Sequence, residues 1–303
     1  MWTPVIGVPP VDLFDVFFVE VAGAPAGPSV WAVGEQGAIL HSTNGGANWT
    51  FQDSQTQETL HSVYFLDQRT GWVVGDNGTI RHTTDGGETW QAQASPITDE
   101  SLVAIAMTSP ANGWALGADG AVLRWNGARW VIQSDTSYRF TALSLSSDDE
   151  GWATTAEADT IGRIVRLAGG QWAPTASFQG LYDIHVPAVG QGDAPSPSRG
   201  WAVGSRGTVA RQLEGRWEYV SRPPTGGQAL YAVHSLAWDR AWAMGTGGLM
   251  FYYNHDRWEN KTDSRVTSRT IRALRMTPDG RQGWAIGEAA PDSGTILRYL
   301  AGP

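Results

Sequence analysis

A tryptophan recurs along this chain at Trp31, Trp72, Trp114, Trp152, Trp201, Trp242 and Trp284, at spacings of 41, 42, 38, 49, 41 and 42 residues. A period near forty that runs the length of a chain restricts it to repeat architectures, so it outranks any local motif. Ahead of each tryptophan lies a strand-like segment: Leu13–Glu20, Leu60–Asp67, Leu102–Ser109, Phe140–Ser147, Leu181–Ala188, Leu230–Ala237 and Ile271–Pro278. These share an apolar column at Val16, Val63, Ile105, Leu143, Ile184, Val233 and Leu274, with a second apolar position two residues on in all but one unit. A period of two is the signal of a strand, and no stretch sustains the 3.6-residue period of an amphipathic helix.

After each tryptophan comes a glycine-containing hairpin and a third apolar run, as in Ala38-Ile39-Leu40-His41 and Ala121-Val122-Leu123-Arg124. Within Gly71–Trp90 the joint is Asp76-Asn77-Gly78, and Asn or Gly at φ > 0 is what a short turn between twisted antiparallel strands demands. A fourth strand begins at Trp49, Trp90, Trp130, Trp172, Trp217 and Trp258. Four short strands per unit of about forty residues describes a β-propeller blade. The expected fold is therefore all-β: a single domain over residues 1–303 with seven blades. The seventh unit ends at Leu300-Ala301-Gly302-Pro303 before a fourth strand, while Met1-Trp2-Thr3-Pro4-Val5 matches Gln171-Trp172-Ala173-Pro174-Thr175 in pattern. The N-terminal strand is expected to complete the last blade, close the ring and cover an open sheet edge.

With Trp2 counted, two columns of seven account for fourteen of the sixteen tryptophans. Burying one removes roughly 150–250 Å² from water, about 4–6 kcal/mol gross at ~25 cal/mol/Å², so the columns read as wedges between blades. Trp125 and Trp238 fall outside them and are expected to be the exposed ones.

Composition excludes several function classes. With no cysteine there is no thiolate zinc site, disulfide or cysteine nucleophile. A net charge of −9 disfavours non-specific nucleic-acid binding. No stretch reaches the eighteen or so apolar residues of a membrane helix. Met1-Trp2-Thr3-Pro4 lacks the basic start and apolar run of a secretory signal. Neither cofactor nor metal is expected, and a monomer is. Lys261 is the only lysine, so positive charge sits almost wholly on arginine, whose planar fork suits carboxylates.

Thr83-Thr84-Asp85-Gly86-Gly87-Glu88-Thr89-Trp90 fits the Asp-box pattern Ser/Thr-x-Asp-x-Gly-x-x-Trp, and Ser42-Thr43-Asn44-Gly45-Gly46-Ala47-Asn48-Trp49 fits it with Asn44 in the Asp position. Later blades shorten the turn, as in Asn126-Gly127-Ala128-Arg129-Trp130. A side chain that caps its own turn is a folding device, and the motif is expected to be structural. Asp-boxes also occur in sialidases, but the Arg-Ile-Pro element of that family is absent.

Gly71–Trp90 resembles the recurrent unit of the photosystem II assembly and stability factor family of seven-bladed propellers, Gly-Trp-x-x-Gly-x-x-Gly-x-Ile-x-x-Thr-x-Asp-Gly-Gly-x-x-Trp. The resemblance extends to all seven units in pattern, strongly in the first two and loosely in blade four, where Thr154-Thr155 replace Val-Gly. It implies a non-enzymatic scaffold that binds a membrane-protein subunit through an arginine-rich surface, in a periplasmic or lumenal compartment. The alternative is a carbohydrate-binding or sialidase-like glycoside hydrolase propeller.

Three groups of residues are candidates for recognition. At one register on the third strands stand His41, His82, Arg124, Arg166, Arg211, Tyr252 and Arg298, either a basic band that receives carboxylates or side chains laid over neighbouring tryptophans. His185, His234 and Arg275, with Asp183 two residues from His185, share a register on the first strands of blades five to seven. Two histidines and a carboxylate suit a metal; Arg275 opposes one, and solvated polar groups lining a central channel are expected instead. Arg222, Arg265 and Arg269 lie with Lys261 in the blade connections Glu218–Ala229 and Glu259–Thr270, loops of the kind that carry recognition. The Gly-, Ala-, Pro- and Ser-rich insertions Val21–Ser29 and Ala188–Ser198 are expected on the opposite face.

Overall fold

The computed structural model describes residues 1–20, 27–157, 161–187 and 200–302. Among them, seven four-stranded antiparallel sheets follow one another along the chain, and the fold is a seven-bladed β-propeller. In blade one the strands are Leu13–Val19, Ser29–Gly34, Ile39–Ser42 and Thr50–Gln52. In blade two they are Leu60–Phe65, Gly71–Gly75, Ile80–Thr83 and Gln91–Ala92. The later first strands, Leu102–Ser109, Phe140–Ser147, Leu181–His185, Leu230–Ala237 and Ile271–Met276, start where the sequence pattern starts them. The seventh sheet has Trp2–Pro4 at its edge, paired antiparallel with Ser293–Leu300 through Trp2↔Tyr299, Thr3↔Arg298 and Pro4↔Leu297. The missing fourth strand is therefore supplied by the N-terminus. No helix among the described residues is long and apolar enough to cross a membrane. The insertion Ala188–Ser198 and residues 21–26 of the other insertion lie outside the described residues.

Burial follows from a strand's place in its sheet. The second strand, Gly71-Trp72-Val73-Val74-Gly75, is buried at every position, which explains an unbroken apolar run in place of alternation. The fourth strand stands at the edge, and Gln91–Ala92 is exposed at both residues. The first strand between these extremes shows the alternation of one covered face. The hairpin after the second strand holds Asn77 at φ +53° and Gly78 at φ +63°. A Cβ on Gly78 would also sit 2.1 Å from the Ile97 carbonyl oxygen, so glycine is required there twice over.

The chain divides into two compact units, Trp2–Ser137 with Trp284–Tyr299, and Tyr138–Gly283 with Met1 and Leu300–Pro303. In the first unit, Trp31, Leu60, Val63, Phe65 and Trp90 form one cluster, and Trp72, Leu102, Ile105, Trp125 and Trp130 another. In the second, Trp152, Leu181, Ile184 and Trp217 form one, and Trp201, Leu230, Val233 and Phe251 the next. Each cluster joins two adjacent blades. All seven second-strand tryptophans are buried. Of the two outside the columns, Trp238 is 50% exposed, as expected. Trp125 is not: it is 8% exposed, packs on Trp130 at 5.5 Å and donates Nε1–H to the Pro110 carbonyl at 3.0 Å. Its position at the end of a third strand, directly opposite Trp130, turns its ring into the sheet.

Blade four departs where the sequence does. Thr154 and Thr155 are fully buried, and their hydroxyls are satisfied by Thr141 Oγ1 at 2.9 Å and the Arg163 N–H at 3.0 Å. Leu143, in the otherwise buried first-strand column, is half-buried.

The Asp-box closes on itself. Asp85 Oδ1 accepts the Thr83 hydroxyl at 2.7 Å and the Thr89 N–H at 3.0 Å, and Oδ2 accepts the Thr89 hydroxyl at 2.6 Å. The Thr89 donors, with Thr83 behind them, lower the Asp85 carboxyl to about 2. In blade one, Asn44 Oδ1 accepts the N–H groups of Ala47 and Asn48 at 3.1 and 2.9 Å. An amide does the work of the carboxylate there. Asp85→Asn is therefore expected to be near neutral, and Asp85→Ala to cost about 1 kcal/mol in urea unfolding; equal losses in both would show the negative charge itself to be required.

The box also ties blades together. Trp31 donates Nε1–H to Gly86 O at 3.4 Å, Gln52 Nε2 reaches the same oxygen at 2.8 Å, and Trp284 Nε1–H reaches Gly45 O at 3.1 Å. Blade three has no full Asp-box, and the buried Trp72 Nε1 of blade two has no acceptor among the described residues.

Candidate partner-binding site

The third-strand band arises from strand register. His41, His82, Arg124, Arg166, Arg211 and Tyr252 sit directly opposite Trp31, Trp72, Trp114, Trp152, Trp201 and Trp242. Directly paired residues share a sheet face, so each must meet the tryptophan beside it. Where the hairpin is the short one, the two are ten residues apart, as Trp31 and His41 are; the longer hairpin of blade four makes it fourteen.

In the first unit, His41 stacks on Trp31 at 4.5 Å and 8°, and His82 lies on Trp72 at 4.5 Å. Burial lowers His41 to about 4 and pushes His82 down as well, so both imidazoles are neutral at pH 7. Arg124 lies 5.0 Å over Trp114 with Nε–H donated to Asn112 Oδ1 at 3.1 Å. Arg298 is half-buried, its carbonyl accepts the Thr3 hydroxyl at 3.2 Å, and desolvation lowers its guanidinium from the ordinary value.

In the second unit, Arg166 lies 5.4 Å over Trp152 and pairs with Glu150 at 2.6 Å. Arg211 lies 5.5 Å from the Trp201 ring and 5.7 Å from Tyr253, whose hydroxyl its Nη1 reaches at 3.4 Å. Tyr252 packs on Trp242 at 5.0 Å. In six blades the band is thus a ring or guanidinium plane laid on tryptophan, with Arg166 exposed and the other members, Arg298 included, half-buried. Glu150, Asn112 and Tyr253, which orient these arginines, are not identifiable from the repeat, because each lies on a position that varies between blades.

The loop cations in the second unit are more exposed. Arg265 is held by Asp263 through Nε at 2.9 Å and Nη2 at 2.7 Å, Arg222 reaches Gln179 Oε1 at 3.0 Å, and Lys261 pairs with Glu259 at 2.8 Å. Arg269 is exposed, with its N–H on Thr267 Oγ1 at 3.0 Å. Each of the first three meets a polar neighbour from its own or an adjacent connection.

Of the first-strand group, the two imidazoles are brought together, and Arg275 Nη1 donates to the Leu274 carbonyl at 3.0 Å. His185 and His234 stack at 3.9 Å, and Asp183 accepts the Ile184 N–H and Val233 N–H, each at 2.8 Å. Asp183 therefore joins blade five to blade six. Asp15 does the same in the first unit, accepting the Ser62 hydroxyl at 2.9 Å and the Val63 N–H at 3.0 Å. The signal was present in Leu13-Phe14-Asp15-Val16 and Leu181-Tyr182-Asp183-Ile184. Among the described residues, no group of three or more His, Asp or Glu is placed to hold a metal ion.

The family described as Photosynthesis system II assembly factor YCF48 matches this sequence over residues 47–102 and 59–126. That span contains the complete Asp-box and the strongest repeat unit. Residues 47–126 of this seven-bladed β-propeller are similar to that assembly-factor family. A structure of YCF48 bound to D1 peptide superposes with a TM-score of 0.76 at 19% identity, covering 100% of this chain and 97% of that one. YCF48 from Cyanidioschyzon merolae gives 0.75 at 18% identity, over 99% and 98%. A computationally designed protein, Ika8, gives 0.67 at 12% identity, over 98% of each chain. At such identities the likeness establishes the fold, and the designed protein illustrates that a propeller of this shape need carry no inherited function. No curated protein matches the sequence.

Proposed function

We propose that this propeller is a non-enzymatic scaffold that binds a segment of a membrane-protein subunit during assembly of a photosynthetic complex. The family match over residues 47–126 carries the reading; a relative of the same fold is described as bound to D1 peptide. The chemistry of the chain is consistent with it. Asp85 spends both carboxylate oxygens on its own turn and offers nothing to glycoside cleavage. Guanidinium groups stacked on indole keep their planar edges oriented, which suits bidentate capture of a carboxylate.

The test is titration of a D1 peptide into the folded chain, with capture from a detergent extract of photosynthetic membranes in parallel. A quadruple variant, Arg124→Gln, Arg166→Gln, Arg211→Gln, Arg298→Gln, removes the charges and keeps side chains that still cover the tryptophans. Expected are a Kd of about 1–10 μM for the native chain and a loss of about tenfold or more in the variant. A triple variant, Arg222→Gln, Arg265→Gln, Arg269→Gln, is expected to bind as the native chain does. The reverse pattern would move the site to the blade connections. Absence of peptide binding and of any captured photosystem subunit would end the scaffold reading.

A further inference from the structure

The dipeptide Asn-Gly occurs four times in the chain, as Asn44-Gly45, Asn77-Gly78, Asn112-Gly113 and Asn126-Gly127. An Asn-Gly pair is prone to deamidate, because glycine carries no Cβ to hinder attack of its backbone nitrogen on the preceding carboxamide. In sequence the four pairs are equivalent. The fold separates them by what it does with the attacking nitrogen and with the backbone around it.

Three pairs are restrained. Gly45 donates its N–H to the Pro28 carbonyl at 3.0 Å, and Gly78 donates to the Glu100 carbonyl at 2.8 Å while Asn77 Nδ2 is held by Glu58 Oε2 at 2.9 Å. Asn112 is 9% exposed, with Nδ2 donated to Thr108 Oγ1 at 2.9 Å and Oδ1 accepting Arg124 Nε–H at 3.1 Å. Its neighbour Gly113 is paired on both sides, with Met107 and with Trp125, so attack there requires the sheet to open.

Asn126 begins the turn between Ala121–Trp125 and Trp130–Asp135, and residues 126–129 are all exposed. Its Oδ1 accepts the N–H groups of Ala128 at 3.1 Å and Arg129 at 3.0 Å. Among the described residues the Gly127 N–H has no acceptor. Attack of the Gly127 nitrogen on Asn126 Cγ places negative charge on Oδ1, where two N–H donors already stand, so the turn stabilises the developing oxyanion. Asn44 Oδ1 holds a similar pair of donors, Ala47 and Asn48, but the nitrogen that would attack is bound to Pro28.

We propose that Asn126 is a site of spontaneous covalent modification, deamidating through a succinimide while the fold protects Asn44, Asn77 and Asn112. The Gly127 nitrogen bonds to Asn126 Cγ, the Cγ–Nδ2 bond breaks, and ammonia leaves with the proton that Gly127 gives up. Water then opens the ring at either carbonyl to give aspartate or isoaspartate, with no change of oxidation state. Isoaspartate lengthens the backbone between Trp125 and Trp130, which pair directly, and adds a negative charge. It also disturbs the next hairpin, since a Cβ on Gly127 would lie 3.2 Å from Ala111 Cβ. The site is independent of the arginine band and of any protein partner.

Peptide mapping by mass spectrometry tests this, on the chain aged at neutral and alkaline pH, both folded and in urea. Trypsin isolates Asn126 in residues 125–129, Asn77 in 70–81 and Asn112 in 82–124, and fragmentation of residues 1–69 reads Asn44. In the folded chain Asn126 is expected to deamidate about tenfold or more faster than each of the other three. The rate should rise with pH, because hydroxide takes the Gly127 proton, and isoaspartate should be among the products. In urea the four rates should converge. Asn126→Gln, which cannot close the succinimide ring, is expected to remove most of the ammonia that the folded chain releases. The proposal is overturned if another of the four asparagines matches or outpaces Asn126 in the folded chain, if Asn126 stays intact, or if urea leaves the ranking unchanged.

Discussion

Replacement of Trp31 by alanine is expected to destabilise the protein by about 3–5 kcal/mol, read as a fall in the urea midpoint without a matching change in m. Trp31 is fully buried and lies between His41 at 4.5 Å and Phe65 of the next blade at 3.7 Å. Its Nε1–H also reaches the Gly86 carbonyl of the second blade's Asp-box. Removing the indole opens a cavity between two blades and leaves that carbonyl with Gln52 as its remaining side-chain donor. Trp31→Phe is expected to recover most of the loss, since it restores the stack and forfeits only the hydrogen bond. Trp238→Ala, at an exposed hairpin, should lie within about 0.5 kcal/mol of the native chain. If Trp31→Ala and Trp238→Ala cost the same, the tryptophan column is not the inter-blade wedge described above.

Acidification from pH 7 toward pH 4 is the second large effect. His41 falls from an ordinary 6.5 to about 4 in the folded protein because burial against Trp31 and beside Gln52 disfavours its charged form. His82, His185 and His234 are lowered for the same first reason. Below pH 6.5 the unfolded chain takes up protons that the folded chain refuses. The stabilisation is therefore complete above 6.5 and drains away as pH falls through the folded values. His41 should contribute roughly 1–2 kcal/mol once its partial exposure is allowed for. The urea midpoint is expected to fall steadily over this window, and His41→Gln to flatten the slope. Asp85, at about 2, adds its own loss only at still lower pH. A midpoint constant between pH 6.5 and 4.5 would contradict the buried, neutral assignment of these imidazoles.

The propeller was legible because its sequence repeats. A column of tryptophan every forty residues, each followed by a turn with Asn or Gly, specifies the same local structure seven times over, so errors at one blade are outvoted by the others. Starts of the first strands were legible to the residue for the same reason, whereas ends such as Glu20 and Asp67 ran past the last paired residue. Trp125 shows the limit. The register of the two tryptophan columns placed it outside the repeat, and only its pairing opposite Trp130 turned it inward. Asp183 shows another: its nearness to His185 in sequence suggested a polar site, but its oxygens were committed to backbone donors on its own strand and the next blade.

The candidate band was legible as a register and not as a surface. Equal spacing from each tryptophan predicts that His41, His82 and Arg124 take equivalent places, since strand pairing converts sequence distance into position on a face. What those groups are worth chemically depended on burial and on neighbours the repeat does not contain. Two members proved to be neutral imidazoles, and Arg166 carries its own Glu150.

The sequence by itself determined the seven-fold repeat, the four-stranded blade, the N-terminal strand in the last sheet and the self-capping turn, all of which follow from local periodicity and turn chemistry. Only the tertiary structure decided which nitrogens and oxygens were already spent, because hydrogen-bond partners and burial come from residues brought together from different blades. That division is why His185 and His234 read in the chain as solvated polar groups at a shared register and in the fold as one stacked pair held neutral by burial.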